Sequence, residues 1–301
     1  MGKLYVLIGL PGAGKDYWIE HNKSKEDIIV SSDAIREEVF GDVNNQDHNG
    51  EVFDIMFNRT RKALANGKNV YYNATNINRK RRINFLKNFK NYEKIAIVMC
   101  VPIEICHRRN EKRERVVPYS VIDRMYKNFQ PPSIYEGFNS IRYIPYLSEN
   151  NSYCDDLLSE NIACTHDNPH HRLSCGEHCL QAEKEMMNIF CDELYPIDKN
   201  LLMAARYHDL SKFRCKTFCK PNGELDSIAH YYFHESCSSY DFLCGYSSKL
   251  SSDELDLISN LIANHMVFFS GEQAIAARKK IYSDNFWKKL ELLHKADVAA
   301  H

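Results

Sequence analysis

The 301-residue chain has no apolar run long enough to cross a bilayer, and no signal sequence at its start. A soluble, cytoplasmic protein with no membrane partner is therefore expected. None of its eleven cysteines forms a CxxC pair. Cys175 and Cys179, like Cys215 and Cys219, stand four apart, which places each pair on one helical face. Buried, reduced thiols are expected there in preference to structural zinc or a disulfide framework. Internal repeats and low-complexity tracts are also missing. What remains is ordinary globular composition, 44% hydrophobic and 26% charged, in a chain long enough for two cores.

The chain also lacks net charge, at −1, but its charge is unevenly placed. Residues 1–146 hold 24 Lys+Arg against 17 Asp+Glu, whereas residues 147–301 hold 15 against 23. A basic half joined to an acidic half implies two domains with different tasks.

The hydrophobic pattern divides at the same place. "KLYVLIG" (3–9), "DIIVSS" (27–32), "NVYYN" (69–73) and "KIAIVMC" (94–100) are apolar runs that predict buried strands. Helical stretches separate them, at 14–22, along Phe53, Met56, Phe57, Thr60, Ala63 and Leu64, and at 78–90. Alternating strands and helices predict an α/β domain, a parallel sheet with helices on both faces, over residues 1–146. Residues 147–164 are polar and aperiodic and are expected to be a linker. Beyond them no strand signal stands out. Residues 172–193, 200–213, 229–244, 252–268 and 285–300 accept helices, so an all-α domain is expected over 165–301.

Chemistry enters at "GLPGAGKDYW" (9–18). A strand, a glycine-rich loop, a lysine and a helix, in that order, form a phosphate loop. Gly9, Gly12, Ala13, Gly14, Lys15 and Asp16 are the candidate nucleotide-binding residues. Backbone N–H groups of 12–16 would cradle phosphates, and Lys15 would reach the β/γ oxygens. The pattern asks for Ser or Thr after the lysine, to ligate Mg²⁺. Asp16 stands there instead.

Four further stretches accompany the loop: "SSDAIR" with Asp33 and Arg36, "NATNINRKRR" (73–82), "RRNEKRERVVPYSVIDRM" (108–125) and "PPSIYEGF" (131–138). Together they resemble the P-loop kinase family that includes bacteriophage polynucleotide kinase and related bacterial end-healing kinases, over residues 1–146. The resemblance implies use of ATP or another NTP with Mg²⁺. It implies that Asp33 accepts or orients the attacking hydroxyl's proton, that Arg36 holds an acceptor phosphate, and that Arg109 and Arg113 close over the donor phosphates. A cluster of cations suits a reaction catalysed by positioning and charge stabilisation. For Arg79, Lys80, Arg81 and Arg82, a solvated face and a nucleic-acid contact are equally compatible with the sequence. Relatives usually carry Ser or Thr at position 16, and many have an acid in the strand corresponding to "YYNATN". Asp16 is therefore expected to be a relocated Mg²⁺ ligand, with a degraded kinase as the alternative.

The second half carries His178 in "CGEHC", His208–Asp209 in "RYHDLSKF", His234 in "YYFHES", His265 in "LIANHMV" and Asp297 in "HKADVAA". Imidazoles and carboxylates of this kind hold divalent transition metals and a hydrolytic water. His265 falls on the stripe of Leu257, Leu261 and Ile262, and Asp297 on that of Leu290 and Leu293. A carboxylate on an apolar stripe is costly unless paired or metal-bound. The order H…HD…H…H…D resembles the HD phosphohydrolase superfamily over residues 165–301. The resemblance implies that His178, His208, Asp209 and Asp297 hold one metal, such as Mn²⁺, Ni²⁺, Co²⁺ or Fe²⁺. It implies that His234 and His265 join Asp209 around a second, and that Lys212 contacts substrate phosphate. His170, His171 and His230 are weaker candidates.

Combined, these readings lead to an enzyme that heals RNA or DNA ends for a nucleic-acid ligase. One half would phosphorylate a 5′-hydroxyl. The other would hydrolyse a 2′,3′-cyclic phosphate, or a 2′- or 3′-phosphate. A small-molecule or nucleotide kinase fused to a nucleotidase is an alternative, as is a nucleotide-gated phosphohydrolase whose kinase half is inactive.

Overall fold

The computed structural model describes residues 2–147, 152–168, 172–193 and 195–301. The chain forms two compact units, one of residues 1–123 and 132–146, the other of residues 124–131 and 147–301.

The first unit is built on five parallel strands: β1 (Lys3–Ile8), β2 (Ile28–Ser31), β3 (Val70–Asn73), β4 (Glu93–Cys100) and β5 (Ser140–Pro145). Their order across the sheet is β2-β3-β1-β4-β5. The connections carry α1 (Lys15–Asn22), α2 (Ser32–Phe40), α3 (Asn49–Ala65), α4 (Arg79–Leu86), α5 (Ile103–Glu111) and α6 (Tyr119–Lys127), the last of which runs across the division between units. The chain moves one way along the sheet from β1 to β2, then back through β3, β4 and β5. Right-handed crossovers therefore put α1 and the later helices on opposite faces, as the alternating pattern predicts. Central strands buried on both faces need continuous apolar runs, and Leu4, Val6, Leu7, Ile8 and Ile95–Val98 are all buried. On α3 the buried residues are Val52, Met56, Thr60 and Leu64, every fourth position. Strand β5 is absent from the sequence reading. Register Leu7↔Asn73 and Ile8↔Val98 aligns the carboxyl ends of β1, β3 and β4, where open α/β sheets bind ligands.

The second unit packs α7 (Tyr153–Ile162), α8 (Cys175–Asp192), α9 (Lys199–Tyr207), α10 (His234–Tyr246), α11 (Ser252–Asn264), α12 (Glu272–Lys279) and α13 (Asp284–Ala299). Capping boxes start α8 (Ser174 with Glu177) and α11 (Ser251 with Glu254). Helix α8 packs on α9 and α13, and α10 on α11.

Two expectations need correction. The second unit is not all-α: strands β6 (Lys216–Cys219) and β7 (Leu225–Tyr231) pair as an antiparallel hairpin. Its turn contains Asn222-Gly223, with Gly223 at φ 88°. Strand β7 takes the start of the helix expected over 229–244. The stretch expected as a linker (147–164) contains α7, whose Cys154, Leu157, Leu158 and Asn161 are buried. Its polar exposed face conceals the apolar one in sequence. At Gly176 an added Cβ would stand 2.5 Å from Ile162, so α7 and α8 meet at a distance only glycine permits.

Candidate functional site

In the first unit the loop after β1 has the geometry that its glycines foretell. Gly12 and Gly14 sit at φ 82° and 88°, a left-handed conformation that side chains disfavour. A Cβ on Gly12 would meet the Cys106 carbonyl oxygen at 2.4 Å. Gly14 leads into α1 with no side chain capping it, and a helix N-terminus of that kind suits an anion. Lys15 Nζ folds back on the loop, donating to the carbonyls of Gly9 (3.1 Å) and Leu10 (2.9 Å). Burial pushes its pKa down, against the pull of Asp16 and Asp33.

Asp16 accepts a 2.6 Å hydrogen bond from Asn73 Nδ2 at the end of β3. Its carboxylate is the kind of hard oxygen donor that Mg²⁺ takes along with nucleotide phosphates, so this donor set fits Mg²⁺.

Asp33, in the first turn of α2, is held from two sides. Arg36 Nη1 donates to one oxygen at 3.0 Å, and Arg115 Nη1 lies 3.1 Å from the other. Arg36 is 5% exposed, and its Nη2 donates to Asn49. The sequence reading has Arg36 on an acceptor phosphate; in the structure it is buried and bonded to Asp33 and Asn49. Arg115 also donates to Asn44. The sequence reading misses Arg115, although it lies in the same arginine cluster as Arg113.

The side chain of Asn110, fully buried, bonds both the N–H and the carbonyl of Val117. This clasp closes the loop that carries Arg113 and Arg115. Arg109 Nη1 lies 3.3 Å from where a Cβ on Gly14 would be, and its guanidinium lies over the Tyr146 ring.

The basic run at 79–82 splits in two. Lys80 and Arg81 are exposed. Arg79 and Arg82 are buried against Glu136, with Arg82 bidentate at 2.6 Å to each oxygen. For those two residues both a solvated face and a nucleic-acid contact are replaced by a buried ion cluster. It ties α4 to the "PPSIYEGF" segment.

In the second unit all six expected ligands converge. His178, His208 and Asp209 form one group of mutually close donor atoms, and Asp209, His234 and His265 another. Asp297 Oδ1 lies 2.9 Å from His178 Nε2 and 3.3 Å from His208 Nε2. Asp209 Oδ1 lies 3.1 Å from His234 Nε2 and 3.3 Å from His265 Nε2. His301, which the sequence reading passes over, closes a third group with His178 and Asp297. His230 instead pairs with Asp226 on β7. His170 and His171 lie outside the described residues.

Backbone geometry fixes the tautomers. Nδ1 of His208, His234 and His265 is bonded to the carbonyl of Ala205, Tyr231 and Ile262 respectively, 2.6–2.8 Å away. A carbonyl only accepts, so each Nδ1 carries the hydrogen and each Nε2 presents a lone pair inward. Pairs of Nε2 atoms then approach to 3.2 Å (His178 with His208, His234 with His265). Between neutral rings, His234 and His265 then face each other acceptor to acceptor. Asp209 Oδ1, in a residue 2% exposed, then has no donor of its own.

Either protons or a cation must fill such a cage. With protons, burial opposes the charge on His208, yet Asp209 and Asp297 push it up to about 9. Burial holds His178 down. Asp209 stays well below the carboxylate range because Lys212, His208 and His234 outweigh its burial. A divalent transition metal satisfies the same acceptors at once, and the imidazole–carboxylate donor set fits it.

Surrounding groups lock the turn that bears Asp209. Asn161 on α7 donates to the Asp209 carbonyl and accepts from the Phe213 N–H. Ser211 donates to buried Asp241, and Lys212 Nζ lies 2.7 Å from Asp209 Oδ2.

Among the described residues no helix is long and apolar enough to cross a membrane. Residues 4–132 match the family model of an AAA domain, so this stretch is similar to P-loop proteins of nucleotide-binding, kinase-like type. That similarity suggests phosphotransferase activity with NTP and Mg²⁺ for the first unit.

Proposed function

We propose that the chain is a bifunctional nucleic-acid end-healing enzyme. Its first unit transfers the γ-phosphoryl of an NTP to a polynucleotide 5′-hydroxyl. Its second, an HD-type phosphohydrolase, hydrolyses a 2′,3′-cyclic phosphate or a 2′- or 3′-phosphate, and the products suit a ligase. The observation that carries this reading is the convergence of His178, His208, Asp209, His234, His265 and Asp297 in a chain that also bears a kinase-like P-loop.

In the first unit Lys15 and the loop N–H groups hold the donor phosphates, joined by Arg109 and Arg113. Asp33 orients the acceptor hydroxyl, and Arg36 keeps the Asp33 carboxylate in place at one oxygen. Arg115 holds the other Asp33 oxygen, which keeps a lone pair for a hydroxyl hydrogen. The surplus of cations in residues 1–146 suits a phosphate-rich acceptor.

In the second unit His178, His208, Asp209 and Asp297 would hold one divalent metal. Asp209 would share its second oxygen with His234 and His265. Such a metal supplies a Lewis acid and a hydroxide at neutral pH. Lys212 neutralises Asp209 and lies next to where a phosphate would bind.

The test of the first unit is transfer of labelled γ-phosphate to a 5′-hydroxyl oligonucleotide. Labelling supports the reading. Nucleotide binding without transfer would make the P-loop regulatory, and labelling of small molecules alone would make this a small-molecule kinase.

A further inference from the structure

The hydrogen bond between Asp16 and Asn73 joins two residues that each depart from the expected pattern. The P-loop pattern places a hydroxyl at position 16, and this chain has a carboxylate. In "YYNATN", where many members of the resembled kinase family carry an acid, this chain has none, and the amide Asn73 ends β3. In space the two departures are one feature. Asn73 is 5% exposed, and strand pairing aligns it with Leu7, just ahead of the loop. Its Nδ2 donates to Asp16 Oδ1 at 2.6 Å. Asp16 itself is exposed on the first turn of α1.

A hydroxyl on the helix with a carboxylate on the strand makes one donor, one acceptor and one negative charge. A carboxylate on the helix with an amide on the strand also sets a donor against a single negative charge, with the positions exchanged. Each pair carries one negative charge and allows a hydrogen bond between the helix and the strand. An acid that merely complements the helix dipole is stabilised without any fixed partner. A short bond from a buried amide instead fixes the direction of the carboxylate.

Resting on the nucleotide-binding reading of the first unit, we infer that Asn73 is a positioning residue that aims the Asp16 carboxylate at the Mg²⁺ of a bound NTP. The pair is an exchanged version of the hydroxyl–acid pair, and not the remnant of a lost site. Losing either member removes part of the metal preference, and exchanging both restores it. Asn73→Asp alone sets two carboxylates at hydrogen-bond distance, which repel without a cation between them.

Calorimetric binding of ATP, once with Mg²⁺ and once with EDTA, tests this without requiring turnover. The readout is the factor by which Mg²⁺ tightens binding. Asp16→Ser and Asn73→Ala should each reduce that factor about tenfold, the scale of losing a group that orients a metal ligand. Affinity in EDTA should fall far less. The double variant Asp16→Ser/Asn73→Asp should restore the factor to within about threefold of the parent, a coupling that independent sites would not show. A double variant no better than Asp16→Ser alone, with ATP binding in EDTA intact, would overturn the inference and leave the nucleotide site standing. A parent protein that binds no ATP under either condition would overturn the nucleotide-binding reading and this inference together.

Discussion

At the scale of single residues, the two sites make different demands on their carboxylates. Asp209 is buried among imidazoles whose Nδ1 hydrogens are committed to backbone carbonyls. Its two oxygens face different groups of candidate ligands, Oδ2 towards His178 and His208 and Oδ1 towards His234 and His265. Asp209→Ala should therefore abolish both metal retention, read by elemental analysis, and phosphoester hydrolysis. His234→Ala should be milder if one metal suffices and equally severe if two are needed. Asp33 faces two arginines. Lys15→Ala and Asp33→Ala should each cut phosphoryl transfer by about 100-fold or more, as loss of one key electrostatic group does. Hydrolysis by the second unit should persist in both variants, since the two sites share no residue. Joint loss of both activities in folded variants would contradict that separation.

At the scale of elements, the P-loop was legible because its function dictates its backbone: Gly12 and Gly14 hold left-handed angles where a side chain would strain. The six candidate ligands were legible because histidines and acids in the order H…HD…H…H…D, two of them on apolar stripes, have no bland explanation in such number. Arg115, Asn73 and Asn161 were not. Each acts through a tertiary contact with a residue distant in sequence, and its local pattern does not name that partner. The β6–β7 hairpin did carry a signal, Asn222-Gly223, which fell between the helical stretches read at 200–213 and 229–244 and was not used.

Helix α7 is more than a connection, since Asn161 clamps both ends of the Asp209–Phe213 turn. Asn161→Ala should weaken metal affinity by about tenfold, in the range for outer-shell partners, with helix content by circular dichroism unchanged. The Arg79–Arg82–Glu136 cluster makes a stability prediction. Glu136→Ala leaves two buried guanidiniums without their carboxylate and should lower unfolding free energy by about 3–5 kcal/mol in urea titration. A cost below about 1 kcal/mol would place the cluster among weak surface pairs.

At the scale of the whole molecule, a cation-rich sheet unit and an acid-rich helical unit carry one site each. Both sites are suited to phosphorus chemistry. In the proposed function one would add a phosphoryl group using charge and positioning, and the other would remove or open a phosphoester with a metal held in its cage. The account holds that both act on the ends of one nucleic acid. The most direct test is intact-mass analysis of a single RNA bearing a 5′-hydroxyl and a 2′,3′-cyclic phosphate, incubated with the protein, ATP, Mg²⁺ and Mn²⁺. The account predicts RNA that has gained a phosphoryl group at its 5′ end and lost the cyclic phosphate at its 3′ end. RNA returned unchanged at both ends, by protein that turns over free nucleotides under the same conditions, would contradict it.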